Sequence, residues 1–438
     1  MGSGPAASRR PGMTAAECQT NSMTNLRIDP ERLWGELMET AAIGGTAKGG
    51  ICRLTLTDLD RQVRDWFAAR AEKLGCTVSV DDMGVMYARR AGTSDVPPIV
   101  MGSHLDTQPT GGKFDGALGV LGALEALRTM VEAGYETYAP IEVVNWTNEE
   151  GSRFTPAMLA SGTFAGVFTR DWAAARRDRA GVTFGEALET IGYRGAEPCG
   201  ARRLSAHFEL HIEQGPILEA ENIEIGAVTG VQGMRWYEVT ITGQDAHTGA
   251  TPMRLRKNAL LGAARVVEAV EQIAQANAPL AVGTVGSMEV KPNSPNVVPG
   301  EVFFTVDLRH PEASLLDTME QIFLREVDTV CRPLGLDVRL AKIWDQPPVR
   351  FDSDCVDAVR HAAAEAGYSV RDIVSGAGHD SAYVARVAPT AMIFVPCRGG
   401  ISHNEAEFTS QEQCAMGAQV LLQAVLRYDR MLADRSKQ

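Results

Sequence analysis

Three histidines and a small set of carboxylates stand where they could hold metal. His104 opens His-Leu-Asp, with Asp106 two residues on; His211 opens His-Ile-Glu-Gln-Gly-Pro; His403 lies in Gly-Gly-Ile-Ser-His-Asn-Glu. Between the first two come Asp115, in Lys-Phe-Asp-Gly, and the adjacent pair Glu149-Glu150. Imidazoles mixed with carboxylates suit a divalent cation with open coordination positions. On extended chain, His104 and Asp106 project to one side, so the Asp106 carboxylate can hold the imidazole tautomer. Glu149 and Glu150 project to opposite sides, so one can bind metal while its neighbour serves as general base. Asp115, the last residue before a helix, can bridge two ions through its two oxygens. Two ions about 3.5–4 Å apart acidify a shared water and polarise a carbonyl. His207, His310 and His361 read as solvated or internally satisfied, and His379-Asp380 as structural.

The elements that must position these residues follow from hydrophobic spacing. Pro97 to Gly102 reads as a buried strand ending at His104, and Ile141–Trp146 as another ending at the Glu149-Glu150 cluster. Between them, Asp115-Gly116 opens an apolar helix to about Ala133. Helices are expected over 30–43 and 57–75, with short strands at Cys76–Val80 and Gly84–Arg89. Strands alternating with helices, with polar clusters at strand ends, indicate an α/β sheet that binds ligand at the carboxyl ends of its strands. The texture changes near Gly226. Strand Arg235–Thr242, helix Asn258 to Ala276, strands Ala281–Val290 and Glu301–Leu308, helix Ser314–Cys331 and strand Asp337–Ile343 give the order β-α-β-β-α-β, the split pattern of a ferredoxin-like sandwich. The first texture then resumes: helix Cys355–Ala366, a strand around Ile373, helix Ser381–Val387, strand Ala391–Val395 and a final helix Gln411–Leu432. The expected fold class is α/β, a discontinuous domain over 26–229 and 345–434 with a smaller α+β domain inserted over 230–344.

Composition excludes other classes. The 438 residues carry 42 Lys plus Arg against 55 Asp plus Glu, a net charge of −13, which repels phosphate backbones and argues against nucleic-acid binding. Apolar residues at 45% and charged residues at 22% describe an ordinary globular chain. No apolar run is long enough to span a membrane. The eight cysteines are scattered with no Cys-x-x-Cys pair, which suits a cytoplasmic protein with free thiols. Residues 1–25 read as a loose tail, with Met13 and Met23 as alternative starts.

Taken together, Gly102-Ser-His-Leu-Asp-Thr-Gln-Pro, Gly111-Gly-Lys-Phe-Asp-Gly, Asn145-Trp-Thr-Asn-Glu-Glu-Gly-Ser-Arg-Phe, His211-Ile-Glu-Gln-Gly-Pro, Gly243-Gln-Asp-Ala-His-Thr-Gly and Ser402-His-Asn-Glu resemble the M20-type dinuclear metallohydrolases. The resemblance is to their amidohydrolase branch: N-carbamoyl-L-amino acid hydrolases, β-ureidopropionases and allantoate amidohydrolases. It implies a metallohydrolase catalytic domain with a ferredoxin-like lid and dimerisation domain, acting as a homodimer. It implies two divalent ions per subunit, Zn, Mn, Co or Ni, one held by His104, Asp115 and His211, the other by Asp115, Glu150 and His403. Glu149 would then be the general base, with Asp106 orienting His104. His247, Asn296 and Arg309 would bind substrate, His247 as an oxyanion donor across the dimer and Arg309 as the grip on a substrate carboxylate. Gln214 would lie near the ureido group and Gly378 in a loop lining the pocket. Without the resemblance, Arg309 reads as a surface charge, Asn296 as a turn residue and His247 as a loop histidine.

The expected partner is therefore a small ureido substrate bearing a carboxylate, an N-carbamoyl amino acid or 3-ureidopropionate. Allantoate is the alternative with the same chemistry. An M20 peptidase or deacylase and a non-catalytic metal-dependent binding dimer are the remaining rivals.

Overall fold

The computed structural model describes residues 26–437. The expected tail, with Met13, Met23 and Cys18, lies outside them. The described chain forms two units: the first spans residues up to Thr229, Phe351–Ile373 and from Gly378 onward, and the second spans Gly230–Arg350 with Val374–Ala377.

The first unit is built on a mixed α/β sheet. Its centre is four mutually parallel strands in the order Ile141–Trp146, Ile99–His104, Ala206–Ile212 and Thr390–Val395. All four are buried along their whole length, as expected for parallel strands covered on both faces. Antiparallel strands flank them: Met86–Arg90 and then Thr77–Val80 on one side, Ile225–Val231 on the other. Because the central strands run the same way, their carboxyl ends share one edge. His104 ends one strand, Trp146 leads into Glu149-Glu150, His211 is the penultimate residue of the third, and Val395 leads toward His403.

Helix Ala117–Glu132 covers this sheet, and helix Gln411–Arg435 packs beside it. Gly119 lets the first of these settle closely. A Cβ there would stand 2.4 Å from the Leu210 carbonyl oxygen and 2.6 Å from the Ser103 Cβ, on the two strands that carry His211 and His104. The helices start on side-chain caps: Asp29 before Pro30–Ala41, Thr57 before Asp58–Lys73, and a reciprocal Ser410–Gln413 box before Gln411–Arg435.

Hydrophobic spacing assigns no element to the segment after Glu150. Residues 151–204 contain three short helices, Leu159–Phe164, Arg170–Ala174 and Phe184–Thr190. Each is too short for a 3.6-residue period to register. They close a separate core in which Phe154, Phe164 and Phe184 pack with Trp146, Leu159 and Leu188. The change of texture near Gly226 falls inside a strand, Ile225–Val231.

The second unit is an antiparallel four-stranded sheet, ordered Asp337–Gln346, Gly233–Thr242, Glu301–His310 and Val282–Lys291. Counted along the chain, that order is 4-1-3-2, with helices Ala259–Ala276 and Ala313–Cys331 as the crossovers. Alternation decides the faces. Tyr237, Val239, Ile241, Val302, Phe304, Val306 and Leu308 turn toward Val266, Val270, Met319 and Phe323 on the helices. Among the described residues, no helix is long and apolar enough to cross a membrane.

Substituting Gly119→Ala should push the helix off both strands, costing about 1–3 kcal/mol of stability. Urea unfolding checks this; an unchanged midpoint would show that the close approach carries no weight.

Candidate metal centre

Asp115 sits at the junction of the central strands, in the turn that opens helix Ala117–Glu132. Gly116 follows it with φ +66, and a Cβ there would lie 2.3 Å from the His104 ring. Only glycine lets the turn press against the imidazole. The Phe114 and Asp115 backbone N–H groups donate to Glu407 Oε1, at 3.1 and 3.0 Å. Ser402 Oγ stands 3.0 Å from Glu407 Oε2 and 3.1 Å from Asp115 Oδ2.

Three imidazoles converge on that carboxylate. His211 Nε2 is 3.1 Å and His104 Nε2 3.5 Å from Oδ1, and His403 Nε2 is 3.4 Å from Oδ2. His403 Nε2 is also 3.4 Å from Glu150 Oε2. Two donor groups result, His104–Asp115–His211 and Asp115–Glu150–His403, joined by Asp115.

Hydrogen bonds elsewhere on the rings set their tautomers. His104 Nδ1 lies 2.9 Å from the Asp106 carbonyl and His211 Nδ1 2.9 Å from the Ile212 carbonyl. Each Nδ1 therefore donates, and each Nε2 turns a lone pair toward Asp115 Oδ1. Lone pairs facing a carboxylate oxygen in a buried site repel unless a positive charge lies among them. The spacing suits a cation, since ligands about 2.1 Å from a tetrahedral ion stand about 3.4 Å apart. The described residues thus fit a divalent metal.

Asp106 takes a different post from the one expected. Its carbonyl, not its carboxylate, accepts from His104; the carboxylate is 3.9 Å from Nδ1 and instead accepts from the Glu149 and Glu150 backbone N–H groups, both at 3.3 Å. It shapes the turn that presents the two glutamates. Glu150 is then pinned by Gln108, whose backbone N–H and side-chain amide donate to Oε1 and Oε2 at 3.0 and 2.6 Å. Glu149 Oε2 lies 3.5 Å from His104 Nε2.

Gln214 and Gly378 also belong to the first unit. Gln214 donates to Asp115 Oδ2 at 2.9 Å, and its Oε1 is buried without a partner. Gly378 lies beside Met158. His247, Asn296 and Arg309 belong to the second unit. There the structure brings His247 and Asn296 together: strand Ala246–His247 pairs with Val297–Val298, and the Thr248 N–H donates to the Asn296 carbonyl at 3.1 Å. Gly249 and Ala250 N–H groups both donate to His247 Nδ1 at 3.1 Å, leaving the proton on Nε2. Arg309 binds Asp307 and the Gly376 carbonyl.

A profile of peptidase family M20/M25/M40 matches residues 100–427. The chain belongs to this family. It is 54% identical over 403 residues to an N-carbamoyl-L-amino-acid amidohydrolase of Rhizobium meliloti, covering 92% of this chain and 97% of that one. It is 35% identical to an allantoate amidohydrolase of Bacillus subtilis, covering 87% and 93%. A solved amidase of the hydantoinase/carbamoylase family from Burkholderia multivorans superposes with a TM-score of 0.90 at 57% identity, covering 92% and 98%.

Several supporting residues of this M20 site escaped the sequence reading. Gln108 stands inside the Gly102-to-Pro109 motif, two residues past Asp106, and its place could have been suspected. Glu407 could not, since it meets Asp115 across 292 positions. The same is true of a buried chain behind the centre. Trp146 Nε1 donates to His207 Nε2 at 3.4 Å, His207 Nδ1 lies 3.3 Å from Ser381 Oγ, and Ser381 and Ser103 hydroxyls donate to Glu209 at 2.6 Å each. His207 and His310 are buried and bonded, and His361 is exposed.

The centre holds its protons tightly. Burial and the Asp115 charge push Glu150 up to about 7, and the hydrogen bond to Asp115 raises His403 to about 9. Burial also raises Glu149 well above the usual carboxylate range. A cation competes with protons on Glu150 and His403 for the same lone pairs, so its binding releases them and its affinity rises with pH. Between pH 6 and 8 each released proton should strengthen Zn²⁺ or Mn²⁺ binding by up to about tenfold per unit. Calorimetric titration in buffers of different ionisation enthalpy reads the proton count; no release would count against both donor groups.

Proposed function

We propose that this protein hydrolyses the ureido C–N bond of an N-carbamoyl amino acid or 3-ureidopropionate, giving the amino acid, carbon dioxide and ammonia. The observation that carries the reading is Asp115 shared between His104–His211 and Glu150–His403, with the Glu149 carboxylate beside His104. The similarity to the R. meliloti amidohydrolase over nearly the whole chain supports the substrate class.

The two donor groups would hold two divalent ions, Zn, Mn, Co or Ni. When bound, they supply Lewis acidity that acidifies water and polarises the ureido carbonyl, a poor electrophile stabilised by two nitrogens. Glu149 removes the proton from the attacking water and returns it to the leaving nitrogen. Its raised pKa suits both halves of that task. Attack at the carbamoyl carbon followed by C–N cleavage releases the amine, and the resulting carbamate breaks down to carbon dioxide and ammonia. Gln214 offers its unpaired Oε1 to the ureido amino group. His247 donates from Nε2–H to the developing oxyanion. Asn296 hydrogen-bonds the substrate and Arg309 grips its carboxylate, while the Gly378 loop lines the pocket. The second unit serves as lid and dimer interface. Seven described cysteines are free thiols, which supports a cytoplasmic setting.

Ammonia release from a panel of N-carbamoyl amino acids, 3-ureidopropionate and allantoate, with and without chelator, tests the function. The expected result is metal-dependent release from carbamoyl substrates. Release from allantoate alone would move the assignment to allantoate hydrolysis, and none from any substrate with metal bound would indicate a binding protein. Glu149→Gln should keep its metal, measured by elemental analysis, and lose about 10²–10⁴-fold in kcat. Asp115→Ala should lose metal from both donor groups, whereas Glu150→Ala should lose it from one.

A further inference from the structure

The exposed face of the second unit's sheet carries an aromatic pair that nothing so far uses. Trp236 is opposite Asp307 on one neighbouring strand and opposite Trp344 on the other, so the three side chains share one face, away from the helices. Trp236 is 39% exposed, although it sits on an inner strand of the sheet. The two indoles lie 6.2 Å apart, tilted by 36°. Adjoining apolar side chains left open on a sheet face form the kind of contiguous patch that marks a ligand-binding surface.

What lies beside the pair indicates the occupant. Arg309 is two residues from Asp307 and on the same face, which makes it the diagonal neighbour of Trp236. Its guanidinium is held rigidly. Nε and Nη2 donate to the Asp307 carboxylate at 3.0 and 2.7 Å, and Nη1 donates to the Gly376 carbonyl at 2.7 Å. Of five N–H groups, three are engaged, leaving one on Nη1 and one on Nη2. That remaining pair can take a carboxylate in two parallel hydrogen bonds. A carboxylate grip adjoining an exposed indole is the recognition pattern for an α-amino acid whose side chain is large and apolar.

We propose that Trp236, backed by Trp344, is the side-chain subsite of this protein, and that it selects N-carbamoyl α-amino acids with aromatic or large aliphatic side chains. The inference rests on the function proposed above. N-Carbamoylglycine and 3-ureidopropionate would leave the indoles uncovered. The second ureido arm of allantoate would need hydrogen-bonding partners that an indole face lacks. Asp307 acts here as a positioning residue, turning the free edge of Arg309 toward the substrate.

Steady-state kinetics on the full-length, metal-loaded protein test this. The wild type should show kcat/KM for N-carbamoyl-L-phenylalanine at least about tenfold above N-carbamoylglycine. In Trp236→Ala that ratio should collapse toward one, chiefly through a higher KM for the phenylalanine substrate, and Trp236→Phe should restore most of it. Asp307→Asn should raise KM for every carboxylate substrate while leaving the ratio standing. A wild-type ratio near one, or a ratio unchanged in Trp236→Ala, overturns the subsite while the hydrolytic function stands. Absence of turnover on every carbamoyl substrate overturns both.

Discussion

The centre is organised by a conflict among hydrogen-bond acceptors. His104 and His211 each spend their Nδ1 proton on a backbone carbonyl and face Asp115 Oδ1 with Nε2. Asp106, Glu149, Glu150 and Glu407 stand around them, all buried. Acidic groups gathered out of water cannot all ionise without positive charge between them. Protons answer part of that need, which is why carboxyl groups such as Glu150 and Glu407 are both pushed up to about 7 by burial and by the charge on Asp115. Divalent cations answer it more completely, and the spacing of the donor atoms suits them.

The rest of the first unit keeps that conflict in place. Four parallel strands bring their carboxyl ends to one edge, so residues more than 290 positions apart in sequence become neighbours. The loop side chains are tied by hydrogen bonds rather than left to their own torsional freedom. Glu407 holds the turn before Asp115, Ser402 joins Glu407 to the Asp115 carboxylate, and Asp106 gathers the backbone of the two glutamates. His403 is the exception, with about half its side chain exposed and a left-handed backbone. It is the ligand candidate least enclosed by the fold.

Much of this was legible from residue types and spacing, and the remainder was not for identifiable reasons. Strand ends announced themselves because apolar runs stop abruptly at His104 and before Glu149. The helix after Asp115 was visible in its leucines, and the second unit in its alternation. Helices of five to seven residues after Glu150 carry too few turns for a period. Asp106 was placed beside His104 correctly by its spacing, yet its carboxylate serves a different loop, because the chain bends after the strand and hands the imidazole a carbonyl instead. Glu407, Ser381 and Glu209 work through contacts that only the folded sheet creates, and no local pattern marks them.

The proposed mechanism divides labour between two identical, adjacent side chains by their position. Glu150 receives two hydrogen bonds from Gln108 and faces His403, so its oxygens are held in fixed directions, which is what a ligand requires. The Glu149 carboxylate has no such clamp from Gln108; Oε2 lies 3.5 Å from His104 Nε2. It is buried, and burial raises its pKa. The proposed base must collect a proton from water and deliver it to the leaving nitrogen, and a raised pKa suits both steps. In that mechanism, exchanging the two roles would require moving Gln108, because the amide that fixes the Glu150 oxygens would hinder a proton shuttle.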